Sequence, residues 1–422
     1  MHLTRRIIAI SAVGMLLSAA AIGQGGGAAA EARTLKEIFE LALKNSESIA
    51  ISEQAVREAE ALYRQTLGAS LPEFSFRHQM TWEDGSGGSN PEGALRMTKT
   101  NLTGYREMAA LKAGKSAAQR RKHQRRRAEQ LLLGDVAGAF FGLLQAKENV
   151  SASRRLIELA ERRLGDLRER VRVGRTREAD SIGQDFQVAS LRSQLEESAR
   201  QVDGRSNLLA FLIKEPAPEP KTADDPGLGE NTLESYLARV EMRPDIQAAK
   251  EARDITQSLV QVSRTEYWPQ LSLLANYYTY RPAKSSGDWD ASLAVGVPLW
   301  SWGARRASLS AAGALLSQNE LEYQLAGRRA NLEIRNAYRD YQSAKKQLDL
   351  LGQALELARR DYALQGRDES RGLVTSLEVL ESLNRLNGAE LAFSRAKLQA
   401  RLAALNLEIA AGVKFEDMEL LK

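Results

Sequence analysis

The sequence of 422 residues lacks cysteine altogether and has only three histidines. The absence of cysteine excludes disulfides, thiolate metal sites and a lipid-modified amino-terminal cysteine. There is also no Gly-rich phosphate loop and no serine in a Gly-x-Ser-x-Gly setting, so nothing assembles into a catalytic centre. We therefore expect no enzyme, no cofactor and no bound metal.

Long apolar runs are also missing after the amino terminus. Charged residues make up 27% of the chain and the mean hydropathy is −0.38, which excludes a bundle of transmembrane helices. The first residues differ, because Arg5 and Arg6 precede the apolar stretch from Ile7 to Ile22, and small residues follow at Ala28 to Ala30. We interpret residues 1–30 as a secretory signal peptide, with an uncleaved anchor as the alternative.

A strong excess of one charge is likewise absent. Lysine and arginine number 59 against 54 acidic residues, a net charge of +5. Removing the signal with Arg5 and Arg6 leaves 57 against 54, about +3. That balance excludes a dedicated nucleic-acid binder.

The chain does contain an internal repeat. Residues 45–72 align without a gap with residues 242–269. When the offset of this alignment is increased by one residue, two series of mostly apolar residues also match. Both series advance in steps of three and four, the spacing of a coiled-coil seam. The first series is Val136, Ala139, Leu143, Ala146, Val150, Ser153, Ile157, Ala160 and Leu164, and the second is Ile334, Ala337, Tyr341, Ala344, Leu348, Leu351, Leu355, Ala358 and Tyr362. The pattern predicts two long helical hairpins of one design.

The repeat and the turn residues divide the chain. In each half a helix, expected at about 34–67 and at 233–267, precedes a β-hairpin and a long helical hairpin. The predicted units are the signal peptide at 1–30, the first repeat at 31–213 with a β-hairpin at 74–102 and a helical hairpin at 105–213, a Pro-rich linker at 214–231, the second repeat at 232–412 with a β-hairpin at 271–299 and a helical hairpin at 303–411, and a C-terminal tail at 413–422.

The predicted strands alternate apolar and polar residues, as transmembrane barrel strands do. The expected lipid face consists of Phe74, Phe76, Trp289, Leu293, Val295 and Val297. Four strands cannot close a barrel, but three chains would supply twelve. The sequence thus predicts a mainly α fold with a small β part, closing as a 12-stranded barrel in a homotrimer. A soluble β-hairpin packed on the helices is the alternative.

Several motifs, in order, carry a family resemblance. They are Thr34-Leu35 with Ala42-Leu43-Lys44-Asn45, Arg243-Pro244-Asp245-Ile246, Tyr267-Trp268-Pro269-Gln270-Leu271, Val297-Pro298-Leu299-Trp300-Ser301-Trp302-Gly303, and Arg371-Gly372-Leu373 with Leu377-Glu378-Val379-Leu380-Glu381-Ser382. Together they resemble the TolC-type outer-membrane efflux and secretion channels over residues 34–412. One departure is Thr100-Asn101, which stands where the second half has Pro298-Leu299.

The resemblance implies a trimeric exit duct in the outer membrane, with a coiled-coil tunnel through the periplasm. Such a duct serves a tripartite efflux pump or a type I secretion system, together with an inner-membrane transporter and a periplasmic adaptor (membrane fusion) protein. The outer-membrane lipid is the remaining partner, and no nucleic acid is expected. A periplasmic coiled-coil adaptor or scaffold protein is the alternative, because it would share the hairpins and the signal.

The resemblance also implies functional residues. The adaptor would dock at the hairpin tips, formed by Val173, Gly174, Arg175, Arg371, Gly372 and Leu373. Asp180, Glu378 and Glu381 would line the tunnel constriction as a ring of carboxylates. The alternatives are glycines that serve only as turn residues and acids on a solvated helix face.

The most basic stretch runs from Arg120 to Arg127. Its side chains cover every face of a helix, so a solvated face is the default interpretation. Contact with acidic lipid headgroups and tunnel lining are the alternatives.

Overall fold

The computed structural model of the chain describes residues 32–82, 89–102, 105–221, 231–280 and 287–418. The predicted signal peptide at 1–30 lies outside the described residues, as do half of the predicted linker, at 222–230, and the end of the predicted tail. The helices are α1 Leu35–Asn45, α2 Glu47–Ala69, α3 Tyr105–Arg172, α4 Glu178–Ile213, α5 Leu233–Leu237, α6 Pro244–Thr265, α7 Ala304–Ser370 and α8 Ser376–Ala410. The strands are β1 Glu73–Trp82, β2 Ser89–Lys99, β3 Gln270–Tyr280 and β4 Trp289–Gly296, and short 3-10 turns span Val240–Met242 and Phe415–Asp417.

The helix before each β-hairpin is broken, whereas the sequence predicts one continuous helix in each half. In the first half Ser46 is extended and its hydroxyl accepts a hydrogen bond from the Ile49 amide, which starts α2. In the second half Arg243 is the N-cap of α6 and Pro244 occupies the first helical turn. The two breaks fall at equivalent positions of the repeat, so they belong to the shared design.

Two long helices dominate the molecule. α3 has 68 residues and α7 has 67, which makes each on the order of 100 Å long. α4 packs back along α3, and α8 along α7. The predicted seam is mostly buried in the first pair, for example at Val136, Leu143 and Leu164, whereas Ala344, Leu348 and Tyr362 of the second pair are only half-buried.

The four strands form one antiparallel sheet in the order β1-β2-β3-β4. β2 pairs with β3, so the hairpins of the two halves are joined, and a bulge interrupts this ladder between Gly93 and Ala94. β1 and β4 are the edge strands, and among the described residues no strand pairs with the outer edge of either. Within the described residues no helix packs extensively along the sheet, which disfavours the alternative of a hairpin packed on the helices.

The strand-to-helix junctions use left-handed backbone in both halves. Asn101 has φ +55° before α3, and Trp302 and Gly303 have φ +48° and +84° before α7. Asparagine and glycine tolerate this conformation better than most residues do. Thr100-Asn101 therefore differs from Pro298-Leu299 in sequence, but its junction also contains a left-handed residue.

The main core lies at the waist, where both halves meet. Phe39 of α1, Phe140 of α3, Leu209 of α4 and Leu405 of α8 are fully buried there. The segment after α8 joins this core, because Met418 is 0% exposed and the Phe415 ring lies 4.7 Å from that of Phe39. The described part of the predicted C-terminal tail is therefore packed rather than free.

Candidate functional site

The hairpin tips have the same construction in both halves. Five residues connect α3 to α4 and five connect α7 to α8, with Gly174 at φ +70° and Gly372 at φ +77° in the second position. The Arg175 amide donates to the Arg170 carbonyl at 2.8 Å, and the Leu373 amide donates to the Asp368 carbonyl at 3.0 Å. This hydrogen bond closes a helix that ends on a left-handed glycine. The turn role predicted for both glycines is confirmed.

The tips expose apolar side chains. Leu373 is 70% exposed and Val173 is 57% exposed, and Arg175 and Arg371 beside the glycines are exposed too. Neither arginine forms an ion pair within the part of the chain that the structure describes. Apolar and cationic side chains presented at a turn fit a partner with apolar and acidic groups.

Glu378 has a local structural role that its position in the sequence already signals. Thr375, three residues earlier, is the N-cap of α8, and the two residues form a capping box. The Thr375 amide and hydroxyl donate to the Glu378 carboxylate at 2.5 and 2.9 Å. Hydrogen bonds from the backbone and then from the side chain of Thr375 hold the pKa of Glu378 below its ordinary value. The residue is therefore a carboxylate turned toward the tip.

The other two predicted acids differ from Glu378. Asp180 accepts a hydrogen bond from the Thr176 hydroxyl at 2.9 Å and lies 3.7 Å from Arg177. Glu381 is exposed, and its counterpart in the first half is Gly183. Among the described residues, no hydrogen bond or ion pair links Asp180 to the acids of α8. Within a single chain the three acids thus have different local contacts, and their assembly into a ring of carboxylates stays a prediction.

One face of the sheet is continuous and mostly apolar. The registers place Phe76 beside Leu95, Leu95 beside Tyr277, and Tyr277 beside Trp289. Leu293 and Val295 of β4 pair with Leu273 and Leu271, and Phe74 pairs with Met97 across β1 and β2. All six residues of the predicted lipid face are exposed, with Val297 just beyond the end of β4.

The opposite face carries a hydrogen-bonded row that the sequence analysis did not find. Arg96 of β2 donates to the Asn276 side chain at 2.8 Å, and Asn276 donates to Asp290 at 2.8 Å. The Tyr278 hydroxyl also donates to Asp290. The row crosses three strands and fixes the order of polar groups on this face. Only the alternation of Asp290 with its apolar neighbours could have signalled it.

A buried arginine with two partly exposed acidic partners joins α6, α7 and the end of α8. Arg243 is 0% exposed, and its guanidinium donates to Asp245 and Glu333, each at 2.7 Å, and to the Ala410 carbonyl at 2.8 Å. Burial by itself raises the pKa of Asp245, but hydrogen bonding and charge from Arg243 outweigh it and lower that pKa overall. The Arg-Pro-Asp-Ile motif is thus a clamp on the carboxyl end of α8.

The basic stretch on α3 is mostly used within the chain. Lys122 forms an ion pair with Glu60 at 2.7 Å, and Arg125 forms one with Glu129 at 3.1 Å. Burial, and then the charge of Arg126, lower the pKa of His123. These contacts favour the default interpretation of a solvated, ion-paired helix. Within the described residues no cluster of three potential metal ligands occurs, and no helix is apolar over a length that could cross a membrane.

The arrangement of a four-stranded sheet on two helical hairpins matches known proteins. The family model for "Outer membrane efflux protein" matches residues 238–413. The match covers 176 of the 422 residues, which is most of the second repeat. With the relatives that follow, it indicates a TolC-type protein of the outer membrane that extends into the periplasm.

Individual relatives cover most of the chain. It is 26% identical over 404 residues to the pyoverdine export outer membrane protein OpmQ of Pseudomonas aeruginosa, covering 89% of this chain and 83% of that one. It is 21% identical over 365 residues to the cation efflux system protein CusC of Escherichia coli strain K12, covering 82% and 79%. The open-state structure of the MtrE outer membrane channel of Neisseria gonorrhoeae superposes with a TM-score of 0.77 at 21% identity, covering 90% and 89%.

Proposed function

We propose that three copies of this chain form the exit duct of a tripartite efflux pump or type I secretion system. The duct conducts substrates passively from an inner-membrane transporter across the periplasm and the outer membrane. The observation that carries the proposal is the single-layer sheet, which has one exposed apolar face and, among the residues that the structure describes, two unpaired edges. Lipid suits that face, and neighbouring copies suit the edges, because backbone groups cannot stay unpaired in hydrocarbon.

Exposed leucines on α7 support the association of several copies. Leu350, Leu357 and Leu364 follow each other at seven-residue intervals and are all more than half exposed in the single chain. A heptad stripe of this kind is the seam by which one helix packs on another. α7 contacts α6 and α8, and α4 forms the opposite edge of the helical layer in the half of the molecule that carries the tips. The stripe therefore runs along an edge helix of this layer. A neighbouring copy that covers it extends the wall into a ring.

The tips are proposed to meet the periplasmic adaptor. They lie at the end of the molecule farthest from the sheet, where the inner membrane is nearest. Val173 and Leu373 supply apolar contact, and Arg175 and Arg371 supply positive charge. The adaptor is thus expected to present an apolar patch with acidic groups.

The alternative of a periplasmic adaptor or scaffold protein leaves the sheet unexplained, because a soluble hairpin has no use for a mostly apolar face exposed across four strands. The family match and the named relatives also favour a channel over an enzyme or an adaptor.

Conduction is the direct test. Purified protein added to a planar lipid bilayer should give stepwise, long-lived conductance, and native mass spectrometry of the same sample should give the mass of three chains. An adaptor or scaffold would give neither result. A stable monomer that inserts without any conductance would contradict the duct.

A further inference from the structure

A polar groove of about 480 Å³ opens between α3, α4 and α8 near the waist. Its basic lining comes from Arg200 and Arg205 of α4 and Arg395 of α8, and Gly142 and Asn149 of α3 form its floor. The volume falls in the range of small-molecule sites, about 300–1,000 Å³. Three guanidinium groups on one small groove require a source of negative charge, and the chain supplies only part of it.

Arg200 is neutralised within its own helix. It donates to both carboxylate oxygens of Glu197, at 2.6 and 2.9 Å. Arg205 and Arg395 have no carboxylate within ion-pair distance among the described residues. Arg205 instead lies over Gly142, where a Cβ would meet its Cδ, Nε and Cζ atoms at 3.4–3.5 Å. The groove therefore keeps two uncompensated positive charges, and the missing side chain at Gly142 leaves room for one of them.

The groove opens on the side of α3, α4 and α8 that no other described segment covers, called here the bare side of the helical wall. On the other side, α1 packs against α3 and α4, Asn45 donates to the Ile213 carbonyl at 2.8 Å, and Lys147 forms an ion pair with Glu219 of the linker. Gln145 on the groove side and Lys147 on the linker side are two residues apart, which is about 200° around a helix. In a closed ring of helices the added layer fits on the outside, so the bare side is the inner wall of the tunnel.

We propose that this groove is a binding site for anionic groups of the cargo as it passes through the tunnel. The inference rests on the proposed function and names a substrate class for it, which is small molecules carrying carboxylate, sulfate or phosphate groups. Arginine binds such groups with paired, charge-assisted hydrogen bonds. Threefold symmetry repeats the groove three times at one height, so a polyanion meets six uncompensated guanidinium groups on its way out.

The first experiment measures binding without any conduction. Citrate, a trivalent anion near neutral pH, is titrated by calorimetry into the full-length protein in detergent at low ionic strength. We expect saturable binding that weakens as salt rises, because the charges are partly screened. The double variant Arg205→Gln with Arg395→Gln should bind at least tenfold more weakly. Both side chains are exposed, so the variant should fold, and circular dichroism checks this.

The matched control is Arg154→Gln. Arg154 lies on α3 little more than one turn beyond Asn149, is exposed, and is not among the residues that line the groove. Its removal lowers the net charge without touching the groove, so citrate binding should not change. Equal weakening in the control and in the double variant would show that citrate responds only to overall charge, and would overturn the site. Absence of binding to the unaltered protein would also overturn it.

The same proteins in a planar bilayer separate this inference from the duct. Citrate should block the current of the unaltered channel and of Arg154→Gln, and should block the double variant at least tenfold less well. A protein that conducts but binds no citrate contradicts the groove alone. A protein that binds citrate and never conducts contradicts the duct and leaves the anion site in place.

Discussion

At the scale of single residues, Arg243 shows how this chain tolerates a charge in its core. A buried arginine is costly unless its donors are satisfied, and here two carboxylates and a helix-terminal carbonyl accept from it. The Ala410 carbonyl is one of those that the end of α8 leaves without an intrahelical partner. One side chain therefore satisfies the end of α8 and ties it to α6 and α7.

The clamp explains why glycine stands at position 412. Its φ is +76°, and a Cβ there would lie 2.8 Å from Cγ and 3.1 Å from Cα of Arg243. We expect Gly412→Ala to destabilise the fold by about 1–3 kcal/mol per chain, because backbone strain and overpacking act together. The measurement is the thermal unfolding midpoint of the detergent-solubilised protein, followed by circular dichroism.

The control is Gly388→Ala in the interior of α8, where a Cβ would meet nothing within 4 Å. Alanine is the better helix former by about 0.5–1 kcal/mol, so this change should leave the midpoint equal or higher. If the unfolding midpoint of the Gly412→Ala protein were equal to or higher than that of the unaltered protein, the contacts around Arg243 would leave room for a methyl group.

At the scale of elements, the sequence predicts the long helices well and the sheet less well. Heptad spacing over many turns places α3 and α7 within a residue or two, because the pattern is local and repeated. β2 looks weak in sequence, since Arg96 and Lys99 interrupt it. The structure resolves this through contacts between the halves and with neighbouring elements: Arg96 meets Asn276, and Lys99 reaches the Ser70 carbonyl at 2.5 Å. No local pattern contains such partners.

The breaks at Ser46 and Arg243 were missed for a similar reason. Apolar residues continue on both sides of each break, so periodicity alone favours one helix. The signals were the serine cap before Glu47 and the proline at 244, both of which start helices. In the second half the partners of Arg243 lie far along the chain, at Glu333 and Ala410.

The two faces of β4 give a prediction at this scale. Val295 lies on the apolar face opposite Leu271, and Ser292 lies on the polar face opposite Leu274. We expect Val295→Arg to prevent assembly, because a lipid-facing arginine costs about 2–4 kcal/mol near the bilayer centre and the trimer would carry three. The measurement is the amount of trimer recovered from outer-membrane fractions.

Ser292→Arg is the matched control, since the same side chain enters three positions away on the other face. It should assemble at near-normal levels, as the polar face already holds Arg96. If both variants were lost equally, the mostly apolar face would not be the lipid face. If neither were lost, the sheet would not be in lipid at all.

At the scale of the whole molecule, the two halves are equivalent in design and different in detail. Both tips end on a left-handed glycine, and this much the sequence predicts. The capping box of Glu378 and Thr375 could also have been read from the spacing of threonine and glutamate, whereas Arg177 holds the corresponding cap position in the first half. In the proposed trimer, which side chains face the tunnel depends on how the three copies pack, and one chain's sequence contains no direct signal for that.

The acidic ring is the prediction that requires the whole assembly. If Asp180, Glu378 and Glu381 face the narrow end, three chains bring nine carboxylates together there, and the pore should favour cations. Single channels in a planar bilayer should then be blocked by a trivalent cation added from the side of the tips. The block should weaken as salt rises, because the carboxylates are screened.

The structure sharpens the choice of variants for this test. Glutamine also completes a capping box, so Glu378→Gln removes the charge and keeps the start of α8, whereas alanine would remove both. Together with Glu381→Gln, it should raise the concentration of trivalent cation needed for block at least tenfold. The control is Glu356→Gln, an exposed acid on α7 that Arg360 already neutralises at 3.0 Å, and its block should not change. Acids on the outer face of the helices would not contact the permeating ion. An unchanged blocking concentration in the double variant would therefore show that Glu378 and Glu381 do not line the constriction, and it would not contradict conduction by the duct.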